Sequence, residues 1–180
     1  TPGYAILEKD TIVRMASNNT ELRAIYLLRN PIERGWSSIV NGLAKKNRIS
    51  IKSVPVKKIF AKIDQDGFLS RSNYAENIRK WSSVIGHDRL FIGFFEDIIG
   101  RPRALIDQIC DFLGVRDSKM VNEDRLHNPR NVSKYFSSEM QPNVAFYLAQ
   151  KLYPMIKDVH ALLGGYTHKW LEDTENILRK

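Results

Sequence analysis

Apolar residues gather in this chain as short runs set between longer amphipathic stretches. Ala24-Ile25-Tyr26-Leu27-Leu28 is too short for a helix and reads as a buried strand over 24–29 that ends in Arg29. A helix start follows at once. Asn30 suits an N-cap, Pro31 the first helical position, and Glu33 the acid of a capping box. Ile32, Trp36, Ile39, Val40 and Leu43 then mark the apolar stripe of a helix over 31–46, with Ser37 at its edge. A second buried strand is predicted over 89–97, ending in Glu96 and Asp97. Further helices are predicted over 72–85 (Tyr74, Ile78, Trp81, Ile85), over 102–113 with a stop at Gly114, and over 142–163. Residues 4–19 read as a mixed helical or loop entry, and 115–138 as irregular. Residues 47–72 lack a clear period and read as a mobile excursion with a short helix around Val56–Asp64, a length that suits a functional lid. Strand alternating with helix predicts an α/β fold, a parallel sheet flanked by helices.

Composition narrows the function classes. At 180 residues the chain is long enough for one domain with a sizeable core, and residues 1–180 are read as a single domain. No run of about 18 apolar residues occurs, so no membrane segment is expected, and Thr1-Pro2-Gly3-Tyr4 has no signal-peptide character. A formal net charge of +8 invites anionic partners. Bases and aromatics do not interleave, which argues against nucleic acid, and Lys45-Lys46-Asn47-Arg48 reads as a solvated basic face. Cys110 is the only cysteine, so no intrachain disulfide can form, and its place on a helix reads as a buried structural thiol. His87, His127, His160 and His168 lack metal-ligand spacing, and no metal site is expected.

The chemistry with most content is at the end of the first strand. Arg29 would emerge at a strand's carboxyl end beside a helix N-terminus, where open α/β sheets bind ligands and where a phosphate is favoured. The competing reading is an arginine paired with a carboxylate at a strand end, and geometry alone leaves the two level.

Leu27-Leu28-Arg29-Asn30-Pro31-Ile32-Glu33-Arg34-Gly35-Trp36-Ser37 resembles the 3'-phosphate-binding segment of sulfotransferases that use 3'-phosphoadenosine 5'-phosphosulfate (PAPS). The resemblance implies that Arg29 and Ser37 hold the 3'-phosphate, with Ser38 as the neighbouring hydroxyl. It runs on through Tyr74-Ala75-Glu76-Asn77-Ile78-Arg79-Lys80-Trp81, the strand from Phe91 and the helix from Pro102 to Gly114, in the family's order. Thr1-Pro2-Gly3-Tyr4 resembles a Thr-Pro-x-Tyr segment of the heparan-sulfate type and its bacterial relatives. The implied fold is the P-loop NTPase-like sulfotransferase fold. The implied activity is transfer of a sulfuryl group from PAPS to a hydroxyl or amine, on a small molecule or a glycan. A catalytically inactive nucleotide-binding or scaffold protein is the alternative.

By the same resemblance Tyr74 could reach the adenine, although its place beside Ile78 and Trp81 favours a core role. Arg130 and Lys134 fall where the family closes a basic loop over the nucleotide. Glu96 and Asp97, as adjacent strand residues, would point to opposite faces, so Glu96 is read as structural. Nothing upstream of Arg29 resembles the family's 5'-phosphosulfate loop, and no residue stands out as the catalytic base: Glu8 lies upstream, where the family's base stands, but matches no motif. The chain is therefore expected to be the C-terminal portion of a longer enzyme. A cytoplasmic setting is expected from the single thiol. The alternative is the Golgi lumen, where the sequons at Asn18 and Asn131 would matter.

Overall fold

A computed structural model describes residues 2–115 and 139–180. The chain divides into two compact units, residues 1–29 with 76–131 and residues 30–75 with 132–180. Neither is a continuous segment.

The first unit carries the sheet. Strand β1 (Ala24–Leu28) pairs in parallel with strand β2 (Leu90–Phe94), Ala24 opposite Leu90 and Leu28 opposite Phe94. Helix Lys9–Asn18 buries Ile12 against Trp81 and Ile85, and Leu22, Ala24 and Leu90 pack on this cluster. β2 stops earlier than its apolar run implies. Phe95–Gly100 is a helix, so Glu96 and Asp97 lie in its first turn and not on opposite faces of a strand. Helix Pro102–Leu113 has Pro102 in its first turn and ends at Gly114, which takes a left-handed φ of 72°. Leu105 is its one fully buried residue. Cys110 is accordingly half-buried, not enclosed as expected.

Gly93 is the tight point of the sheet. A Cβ there would lie 2.7 Å from Leu27 Cδ2, 3.1 Å from Phe91 Cε1 and 3.2 Å from Leu105 Cδ1. Three side chains would have to move together, so Gly93→Ala is expected to destabilise the protein by about 1–3 kcal/mol. Urea unfolding checks this, and an unchanged midpoint would show that the contact relaxes freely.

The second unit is helical. Helix Pro31–Ile39 passes into a π-helical turn, Val40–Lys45, where a continuous α-helix to residue 46 was expected. Residues 47–72 are not a loose excursion. They form a 3-10 turn (Ile51–Ser53) and helices Val56–Ile63 and Asp66–Ser70, and they bury Ile51, Val54, Ile59, Ile63 and Phe68. Helix Pro142–Leu163 packs on Pro31–Ile39, on Val56–Ile63 and on a further helix, Tyr166–Leu178, which brings Trp170 into the core. Among the described residues no helix is long and apolar enough to cross a membrane.

A polar clasp closes the surface of this unit. Lys151 Nζ lies 2.9 Å from Asp64 Oδ1, and the Tyr147 hydroxyl donates to the same carboxylate at 2.9 and 2.8 Å. Phe60 stacks on Tyr147 at 4.3 Å between ring centroids. The lysine first, and the tyrosine after it, hold the Asp64 carboxyl below its ordinary value of 3.8. A depressed acid contributes stability above its unfolded value and loses it as pH falls through the folded one. In thermal melts, the difference between wild type and Asp64→Asn should therefore be small at neutral pH and shrink as the pH is taken below the ordinary carboxylate value of 3.8. A gap that widens on acidification would contradict the clasp.

Candidate functional site

The parallel register builds the arginine's surroundings. Leu28 and Phe94 are partners at the carboxyl ends of β1 and β2, so Arg29 and Phe95 are the next residues out from each strand. The Arg29 guanidinium lies over the Phe95 ring, 4.5 Å from its centroid. Such a contact contributes about 0.5–2 kcal/mol and holds the long side chain at the strand end. Arg29 is half-buried there.

The next residue begins the second unit, and Asn30 and Pro31 take the N-cap and first-turn places that the sequence predicts. Asn30 Oδ1 accepts from the Ile32 backbone N–H at 2.9 Å, Pro31 occupies the first turn, and Glu33 is the first-turn acid. Ile32, Trp36, Ile39 and Val40 are buried, while Leu43, Ser37 and Ser38 are half-buried. The helix is fixed from its other side by Arg34, whose guanidinium donates to the Phe68 carbonyl at 3.2 Å and to the Ser72 hydroxyl, and lies over the Phe68 ring at 5.4 Å. Sequence reasoning passed over Arg34, because nothing local to it announces a partner 34 residues away. Gly35 lets the same ring approach: its missing Cβ would meet Phe68 Cζ at 3.1 Å and Leu148 Cδ2 at 3.3 Å. The helix bearing Ser37 is thus held by a cap, an arginine tether and a glycine contact.

The other candidates separate clearly. Tyr74 is 2% exposed and meets Trp170 edge-on, with centroids 6.3 Å apart, which is the environment of a core residue. Arg130, Lys134 and His127 lie outside the described residues. Asp97 is the buried acid of the pair, 4% exposed, and accepts from Arg101 Nε at 2.6 Å; Glu96 is half-buried. Glu8 stands exposed at the N-cap of helix Lys9–Asn18 without capping it through its side chain. A cavity of about 280 Å³ opens at the amino end of β1, lined by Tyr4, Met15, Arg23, Tyr26 and Trp81. It lies at the opposite end of the strand from Arg29, and α/β sheets favour ligands at the carboxyl ends.

Residues 11–146 match the family model described as a sulfotransferase domain. The chain belongs to the sulfotransferase domain family. It is also similar in structure to a sulfotransferase from Alicyclobacillus acidocaldarius, with a TM-score of 0.70 and 20% sequence identity. That likeness covers 93% of this chain and 64% of the bacterial one, and at this identity it shows the fold. No curated protein matches the sequence. The α/β expectation, a parallel sheet with helices around it, agrees with the structure and with this neighbour.

Proposed function

We propose that the protein transfers a sulfuryl group from PAPS to a hydroxyl or amine acceptor, with Arg29 and Ser37 gripping the donor's 3'-phosphate. In that transfer the acceptor oxygen or nitrogen bonds to sulfur as the sulfur's bond to the 5'-phosphate oxygen breaks. The acceptor proton leaves to a base, and 3'-phosphoadenosine 5'-phosphate departs. The observation that supports the reading is Arg29, steadied on Phe95 at a strand's carboxyl end and followed at once by a capped, proline-initiated helix that carries Ser37. A guanidinium can engage two phosphate oxygens and a hydroxyl can donate to a third. Arg130 and Lys134 are further proposed contacts, carried by sequence resemblance alone. The whole is read as one sulfotransferase-like domain, and the acceptor as a small molecule or a glycan.

The test is thermal stabilisation of the purified protein by 3'-phosphoadenosine 5'-phosphate. ADP, which lacks the 3'-phosphate, serves as the control. Stabilisation by the first and not the second supports the reading. Equal responses would remove the 3'-phosphate from it.

A further inference from the structure

The charge of this protein is segregated. Residues 34–63 hold eight Lys and Arg and no Asp or Glu, which equals the formal net charge of +8, so the other 150 residues balance at 20 basic and 20 acidic. Two of the eight are engaged internally: Arg34 with Phe68 and Ser72, and Lys62 with Gln65 at 2.7 Å. The remaining six, Lys45, Lys46, Arg48, Lys52, Lys57 and Lys58, are all exposed. None of these six is ion-paired among the described residues.

Their elements lie together within the second unit. The 3-10 turn Ile51–Ser53 packs on the π-helical turn Val40–Lys45. The missing Cβ of Gly42 would sit 3.9 Å from Lys62 Cε, so helix Val56–Ile63 runs along that same turn. The first acid after the run, Asp64, is committed to Lys151 and Tyr147. An ordinary solvated face mixes both signs; this one carries a single sign over consecutive elements, which draws in polyanions.

We propose that this surface is a docking site for an acidic polysaccharide, the acceptor class that the transferase presents to its donor. The inference rests on the sulfotransferase reading and deepens it. Two features favour a glycan over other polyanions. Single-stranded nucleic acid needs exposed rings on which bases stack, but Trp36 is buried and Phe60 is stacked on Tyr147. An anionic membrane takes up an amphipathic helix through its apolar face, but Ile59 and Ile63 of helix Val56–Ile63 are buried in the protein. Ile49 is the one large apolar side chain left exposed between 34 and 63. Six separate cations suit repeated carboxylate and sulfate groups along a chain better than one compact anion.

The experiment is fluorescence anisotropy with a labelled heparin oligosaccharide, no donor present, on the wild type and on two charge-reversal variants, K45E/K46E/R48E and K57E/K58E. Each variant is expected to bind at least about tenfold more weakly and with a shallower salt dependence, as lost counterion release requires. Circular dichroism melts should stay near wild type, because these side chains are exposed and unpaired. Wild-type affinity in both variants would overturn the proposal. So would tighter binding of a single-stranded DNA oligonucleotide of equal charge, or of phosphatidylserine vesicles. Because nucleotide is absent, failure here leaves the donor reading intact, while failure of 3'-phosphoadenosine 5'-phosphate to stabilise the protein leaves the glycan measurement standing.

Discussion

Arg29→Ala is expected to abolish most of the thermal stabilisation by 3'-phosphoadenosine 5'-phosphate. A ligand at a hundred times its Kd stabilises a folded protein by about 2.7 kcal/mol. Truncating one partner of a desolvated, hydrogen-bonded charge pair costs about 2–5 kcal/mol of binding. At the same ligand concentration the variant should therefore retain less than about 1 kcal/mol of the increment. The variant also loses the contact with Phe95, worth about 0.5–2 kcal/mol, so its ligand-free melting temperature falls as well. The decisive readout is the ligand-induced increment and not the melting temperature itself. Arg29→Lys keeps the charge but loses the planar fork, and should fall between the two. If Arg29→Ala responds to the nucleotide as the wild type does, the arginine is not the phosphate anchor.

Trp170→Ala should have the largest effect on stability. Its side chain is 2% exposed and meets Tyr74 edge-on. Removing a buried indole costs about 3–5 kcal/mol, from lost transfer energy and the cavity left behind. That is a large share of the roughly 5–15 kcal/mol by which domains are stable. Urea unfolding should show a lowered midpoint with far-UV signal retained in the absence of denaturant. A cost below about 1 kcal/mol would mean that the helix carrying it is not docked.

The same helix shows where the sequence was opaque. Tyr166–Leu178 follows two glycines with φ of 61° and 57°, and its N-cap Gly165 has no side chain to announce a start. Its buried stripe is Thr167, Trp170 and Thr174, which a hydropathy pattern reads as mostly polar. The threonines can be buried because Thr167 donates to the Gly164 carbonyl at 2.7 Å and Thr174 to the Trp170 carbonyl at 2.6 Å. Helix Phe95–Gly100 escaped for a related reason: its N-cap is Phe94, with no side-chain cap, and apolar residues run across the junction.

Local cap and stop residues did mark some boundaries. Asn30-Pro31 marked one helix start, and Pro102 and Gly114 bounded another at its observed limits. Arg29 at a strand end could be placed from sequence. Its seat on Phe95 depends on a register between strands 66 residues apart, which no local pattern encodes.

That separation bears on how the molecule can be divided. Because the units interleave along the chain, 1–29 with 76–131 and 30–75 with 132–180, no single cut leaves both whole. A fragment ending before residue 76 would hold β1 without the strand that pairs with it. On the ribosome β1 emerges first and must wait for some sixty residues of helix before its partner appears. Closing so long a loop is slow and entropically costly. Domain dissection, nested deletions and limited proteolysis should each yield unstable pieces of this protein where a modular chain would yield autonomous ones.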